Sequence, residues 1–229
     1  LQLNIEKMNI ALIGYGKMGH VIEQIALERG HRIVSIIDIN NLSDFDSDAF
    51  RSADVAIEFT TPATAEHNIL AAWKQGVPVV SGTTGWNIAR FKTEQSQPQQ
   101  SLFWTSNFSI GVNLFFELNK KLAELIKPYS QYTPHIEEIH HVHKLDAPSG
   151  TAKTLAQDAE AVLGSKIEIS SIREGEIPGT HTVSYDSAVD TITIRHEAKS
   201  RAGFALGAVI SAEWLQSKPK GYYSMQDLL

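Results

Sequence analysis

The sequence predicts an α/β protein in two parts: a parallel sheet crossed by helices, and an α+β domain with a mixed or antiparallel sheet. Three observations predict it. From Met8 onward, short β-branched or apolar runs alternate with helix-length segments, the pattern of parallel strands joined by crossover helices. A glycine-rich turn, Gly14-Tyr15-Gly16-Lys17-Met18-Gly19, separates the first strand from the first helix. After a long helix that starts near residue 110, strand-like runs follow one another with one helix among them, which breaks the alternation.

Residues 1–7, LQLNIEK, precede the first convincing strand and are read as upstream residues outside the fold. The first predicted strand is Met8 to Ile13, and the helix after the glycine turn runs to about Arg29, where Gly30 can take the left-handed conformation that ends it. The second strand, Arg32 to Asp38, offers Ile33, Val34, Ile36 and Ile37 to a core. The acidic stretch Asn40 to Asp48 reads as a surface loop and short helix, and Asp54 to Phe59 as the third strand. Pro62 suits the first turn of the next helix, which ends near Gly76. Val77 to Val80 is the fourth strand and opens into Ser81-Gly82-Thr83-Thr84-Gly85. A polar loop from Gln95 to Gln100 leads to a fifth strand at Leu102 to Trp104.

Ile110, Leu114, Leu118, Leu122 and Leu125 then recur at helical spacing until Lys127-Pro128 stops the helix. Four strand-like runs follow, at His135 to His141, Lys166 to Ile172, Thr180 to Tyr185 and Asp190 to Arg195, with a helix near Thr151 to Leu163. A last helix, about Gly203 to Leu215, could pack on either domain. The expected organisation is one domain of residues 8–108 with 203–229 and a second of residues 109–202.

Composition removes several classes of function. With 20 Lys and Arg against 26 Asp and Glu and no basic block, the footprint of a nucleic-acid binder is missing. The absence of cysteine excludes disulfides, thiolate metal sites and a Cys nucleophile. No apolar run approaches the roughly 18 residues of a membrane span, so a cytoplasmic protein is the expectation.

Gly14-x-Gly16-x-x-Gly19, set between a strand and a helix, is a dinucleotide fingerprint in its proper context, and the first domain is therefore read as Rossmann-type. The first glycine makes the tight turn, the second lets backbone approach a pyrophosphate, and the third allows close helix–strand packing. Asp38 ends the second strand, where an acid can bind the adenosine ribose hydroxyls. A carboxylate there accepts from a 2′-OH and repels a 2′-phosphate, and Ile39 follows instead of a neutralising Arg. NADH is the preferred cofactor on this reading, with NADPH the alternative if Lys17 reaches the same region.

Four histidines fall between residues 135 and 143, in the run His135-Ile-Glu-Glu-Ile-His140-His141-Val-His143-Lys144-Leu-Asp146-Ala-Pro148-Ser149-Gly150-Thr151. Their spacing does not converge on one point as a zinc site requires, so no metal is expected. An acid–base site fits better, because histidine titrates nearest neutrality and Lys144 supplies positive charge and a proton. Ser149 reads as an N-cap, and the free N–H groups after it suit an anion. Imidazole, cation and helix N-terminus together suit a small substrate that carries carboxylates.

Gly14 to Gly19, Gly82-Thr-Thr-Gly85, Asn107-Phe-Ser-Ile-Gly-Val-Asn113 and His140 to Ala152 occur in the order of the 4-hydroxy-tetrahydrodipicolinate reductase (dihydrodipicolinate reductase) family, which the chain resembles from Met8 onward. Gly179-Thr-His181 and Ser200-Arg-Ala-Gly-Phe204 resemble it too. The resemblance implies NAD(P)H-dependent reduction of a cyclic dicarboxylate, with loss of water, in lysine and diaminopimelate biosynthesis. It implies His140 as proton donor and acceptor, Lys144 as second proton donor, and His141, Gly150 and Thr151 as holders of substrate carboxylates. Gly82, Thr83 and Thr84, with Thr105, Ser106, Asn107 and Phe108, would line the nicotinamide side of the cofactor cleft. Family members form homotetramers through the second domain's sheet, and the same is expected here. Two departures are visible: Lys17 stands where the family usually carries Arg, and the interval from Asp38 to Asp54 is short. A non-catalytic NAD-sensing protein, or a dehydrogenase for another small carboxylate, is the alternative.

Overall fold

A computed structural model describes residues 6–89, 91 and 100–229 of the chain. The predicted polar loop lies outside the described residues except for Gln100. The chain divides into two compact units, one ending at Ser109 and resuming at Ala202–Leu229, the other spanning Ile110–Arg201.

The first unit is built on six parallel strands: β1 (Asn9–Ile13), β2 (Arg32–Ile37), β3 (Val55–Glu58), β4 (Val79–Ser81), β5 (Leu102–Trp104) and β10 (Tyr222–Tyr223). Their order is β10-β5-β4-β3-β1-β2. From β1 the chain goes first to one side, to β2, and then to the other, to β3. That reversal opens a crevice at the carboxyl ends of β1 and β3, where open parallel sheets bind ligands.

Alternate side chains of these strands bury two separate cores. Ile10 and Leu12 of β1, with Val55, Ile57 and Phe103, pack against Ile22 and Ala26 of α1 (Lys17–Glu28) and Ala205, Ala208 and Val209 of α6 (Ala202–Gln216). Ala11 and Ile13, with Ala56 and Val79, face Phe50 of α2 (Asp48–Arg51) and Ile69, Ala72 and Trp73 of α3 (Ala65–Lys74). The last long helix therefore belongs to this unit. It lies so close that a Cβ on Gly207 would fall 1.8 Å from the Phe108 carbonyl oxygen.

In the second unit β6 (Thr133–His140) lies between β7 (Glu168–Arg173), which is parallel to it, and β8 (Thr180–Asp186), which is antiparallel. β9 (Thr191–Glu197) pairs antiparallel with β8, so the sheet is mixed, in the order β7-β6-β8-β9. Ile136, Val183 and Tyr185 on one face bury against Phe115, Ala123 and Ile126 of α4 (Ile110–Ile126) and Leu155, Ala156 and Ala159 of α5 (Gly150–Leu163).

Two details differ from the sequence expectation, and the acidic stretch after β2 agrees with the surface loop and short helix expected there. Pro62 is not in the helix: the N–H groups of Thr64 and Ala65 both donate to the Thr61 carbonyl, so Pro62 sits in a turn that leads into α3. The acidic stretch after β2 forms a 3-10 turn over Leu42–Asp46 followed by α2. After α6 the chain adds β10 at the sheet edge and a short helix, α7 (Met225–Leu228), neither of which was expected.

Candidate active site

The glycine turn occupies the carboxyl end of β1. Gly14 has φ +91°, and a Cβ on it would come within 2.2 Å of the Phe59 carbonyl oxygen, so both conformation and space demand glycine. A Cβ on Gly19 would fall 2.6 Å from the Gly14 carbonyl oxygen, whereas Gly16 faces open space. Gly16 is also the N-cap of α1, with no side-chain cap, and the first turn holds no acid. An α1 N-terminus with an open glycine before it fits a pyrophosphate.

Two clefts meet at this turn. One, of about 380 Å³, is lined by Gly14, Tyr15, Gly16, Asp38, Ile39 and Leu42 among others. The other, of about 420 Å³, is lined by Gly16, Lys17 and Met18 facing Thr60, Gly82, Thr83 and Thr84. Both volumes are in the range of small-molecule sites. Lys17 is on the second cleft only, apart from Asp38. Thr105, Ser106, Asn107 and Phe108 line neither cleft. Thr105 Oγ1 accepts from the Asn107 N–H, and Phe108 is buried against Phe59 and Phe103. The sequence reading missed Phe59 and Thr60, which line both clefts.

In the second unit the acid–base and anion-holding residues that the sequence predicts lie on the strand-to-helix segment His140–Thr151. His140 is the last residue of β6, and its Nδ1 is hydrogen-bonded to the carboxylate of Glu138, two residues earlier on the same face. Glu138 is fully buried. Its other oxygen accepts from Arg173 Nη2 at 2.8 Å, and Arg173 also donates to the Asp146 carbonyl at 2.6 Å. Burial pushes the Glu138 carboxyl upward, but hydrogen bonds from Arg173, Ser171 and His140 outweigh it and hold the group below the ordinary range. For His140 burial is the larger influence and lowers its pKa, with Glu138 opposing. The Glu138 bond takes Nδ1, so Nε2 is the ring nitrogen left for another partner. That nitrogen faces Gly179, where φ is +151° and a Cβ would fall 2.9 Å away.

Lys144 sits in the turn after β6, with Nζ 2.7 Å from Asp146 Oδ1, and this bond holds the Asp146 carboxyl below its usual range. Ser149 is the N-cap of α5, accepting from the Ala152 N–H, and its hydroxyl lies 3.0 Å from His181 Nε2. Gly150 opens the helix with nothing crowding its Cα, so the N–H groups of Gly150 and Thr151 are placed for an anion. His141 is tied by its N–H to the Ile177 carbonyl, and His143 is exposed beside Glu176 at 3.2 Å. Ligand atoms of Glu138, His140 and His181 lie within 4.8 Å of one another. Arg173 holds Oε1 of that carboxylate and His140 Nδ1 holds Oε2, so both oxygens already have partners within the protein.

Glu138, Arg173 and Asp146, which bond to His140, Glu138 and Lys144, are not among the site residues that the sequence predicts. An acid two residues before a strand-end histidine was the available signal for Glu138. Arg173 had none, because its approach depends on the β6–β7 register that sets it opposite His140.

A parallel sheet with a glycine-turn nucleotide site, and a separate unit with an imidazole, a lysine and an anion-binding helix start, define a two-domain pyridine-nucleotide oxidoreductase. Comparison with known proteins narrows this. The models for dihydrodipicolinate reductase, N-terminus and C-terminus, match residues 8–108 and 111–229. The chain is 46% identical over 236 residues to the 4-hydroxy-tetrahydrodipicolinate reductase of Christiangramia forsetii, covering 97% of this chain and 98% of that one. It is 36% identical over 239 residues to that of Rickettsia rickettsii, covering 96% and 98%. Its fold is similar to a dipicolinate-bound dihydrodipicolinate reductase from Paenisporosarcina sp. TG-14, with TM-score 0.80 and 22% identity over 98% of this chain and 100% of that one. The chain belongs to the dihydrodipicolinate reductase family.

Proposed function

We propose that the chain reduces 4-hydroxy-tetrahydrodipicolinate to tetrahydrodipicolinate with loss of water, using a reduced nicotinamide dinucleotide. The observation that carries this reading is the His140–Thr151 segment, in a family member, with His140 Nδ1 held by Glu138 and the α5 N-terminus open. Bound NAD(P)H supplies the hydride, which is the cofactor's chemistry. The protein's residues bind, orient and move protons. The N–H groups of Gly150 and Thr151 receive one substrate carboxylate, and His141 is assigned to holding substrate carboxylate as well. His140 exchanges a proton at Nε2, and Lys144 supplies a second proton and a positive charge. The dipicolinate bound by the Paenisporosarcina relative supports a planar dicarboxylate as the ligand class.

NADH is the preferred cofactor. Among the described residues, none that lines the cleft holding Asp38 is Lys or Arg, so a 2′-phosphate there would face a carboxylate without a counter-charge from them. A homotetrameric, cytoplasmic enzyme completes the reading.

His140→Gln tests it. The expected loss of kcat is about 10²–10⁴-fold, the range for removing a general acid, with NADH affinity retained. Wild-type turnover in that variant would remove His140 from the mechanism.

A further inference from the structure

β3 runs Val55-Ala56-Ile57-Glu58, and its final carboxylate is 0% exposed. A buried carboxylate is costly unless its acceptor sites are filled. Three hydroxyls fill them: Thr60 Oγ1, Ser81 Oγ at 2.5 Å and Thr83 Oγ1 at 2.9 Å. No cationic side chain pairs with Glu58 among the described residues.

The hydrogen-bond directions follow from obligate donors. Thr83 Oγ1 accepts the Thr60 N–H at 2.8 Å, and Thr60 Oγ1 accepts Asn68 Nδ2 at 3.2 Å. The hydroxyls of Thr60, Ser81 and Thr83 all donate to Glu58, which acts as acceptor in each bond. The opposite side of Thr83 is fixed too. Its carbonyl accepts Trp86 Nε1 at 2.7 Å and Trp104 Nε1 at 2.9 Å. One buried carboxyl group thus ties the turn after β3 to the loop after β4. Thr60, Gly82, Thr83 and Thr84 form the wall of the second cleft that faces the glycine turn. Apolar residues at 58, 81 and 83 would fill the same space without burying a carboxyl group. What the carboxylate adds is a set spacing between Thr60 and Thr83.

We propose that Glu58 is the positioning residue for the nicotinamide side of the cofactor cleft, holding Thr60 and Thr83 so that the dinucleotide meets a preformed wall. This rests on the cofactor reading above. Glu58→Gln keeps the shape but offers one acceptor oxygen and an amide donor, so it cannot receive all three hydroxyls.

Two readouts test the proposal on the full chain. Hydrogen exchange at the Thr60 amide should accelerate by about 10-fold, the scale of losing a buried hydrogen bond. The neighbouring Phe59 amide, bonded to the Ile13 carbonyl within the sheet, should keep its rate. The Kd for NADH, read by quenching of the fluorescence of Trp86 and Trp104, should rise by about 10-fold. If Glu58→Gln does not fold, Thr83→Val should raise the Kd and Thr83→Ser, which keeps the hydroxyl, should restore it. Unchanged Thr60 exchange and NADH affinity would overturn the proposal. So would equal acceleration at Phe59 and Thr60, which marks general loosening, or equal affinity in the Val and Ser variants. Wild-type protein that binds neither NADH nor NADPH would overturn the cofactor reading itself, an outcome distinct from failure of Glu58 alone.

Discussion

A histidine at the end of a strand has two nitrogens to offer, and Glu138 decides which of them the proposed mechanism leaves for substrate. That carboxylate takes Nδ1, and Arg173 keeps it charged. Removing the charge should therefore lower the His140 pKa further, because Glu138 is the group that opposes burial and the positive charges of Lys144 and Arg173. In Glu138→Gln, the midpoint of the His140 ring-proton NMR titration is expected at lower pH than in wild type, with kcat reduced. Coincident titrations would mean that Glu138 does not govern this imidazole. On the nucleotide side Asp38→Ala should erode the preference for NADH over NADPH, measured as the ratio of kcat/KM values. An unaltered ratio would place the discrimination elsewhere. Lys17 is not the expected place, since it lines the cleft that lacks Asp38.

At the scale of elements, α5 begins where the substrate carboxylate is proposed to bind, and Ser149 sets that beginning. Its hydroxyl caps the Ala152 N–H and contacts His181. Ser149→Ala should destabilise the protein by about 1 kcal/mol and raise KM for substrate more than it lowers kcat, checked by urea unfolding and steady-state kinetics. A KM equal to wild type would separate the helix start from substrate binding. The same elements show how much the sequence reveals. Ser149 was legible as an N-cap because Pro148 and Gly150 flank it, and the glycine turn because its spacing is local. β10 was not, since two residues have no period to read. Arg173 and Glu138 are 35 positions apart and meet only through strand register. Glu58 read as one more residue of an apolar strand, and its partners come from two different loops.

Over the whole molecule, the buried His140 and His181 on β6 and β8, with the partly buried His196 on β9, make stability sensitive to acid. Burial lowers the pKa of His140, His181 and His196, that of His181 to about 4 from 6.5, with the charge of His140 the next cause. The folded state keeps His181 neutral while the unfolded chain takes up a proton. Its contribution is complete above pH 6.5 and is lost as pH falls toward about 4. Urea unfolding should show a loss of about 2–3 kcal/mol between pH 7.5 and pH 4.5 from this residue, and His181→Gln should flatten the slope. A wild-type stability flat across that range would contradict the buried neutral state.

The most direct test of the central claim is oxidation of NADH and NADPH, followed by loss of reduced-nicotinamide absorbance, with substrate generated in situ from pyruvate and aspartate semialdehyde by the preceding synthase. The account predicts oxidation that depends on the synthase and is faster with NADH. Cofactor binding without any synthase-dependent oxidation would contradict it, and would instead fit a protein that senses the dinucleotide without turning it over.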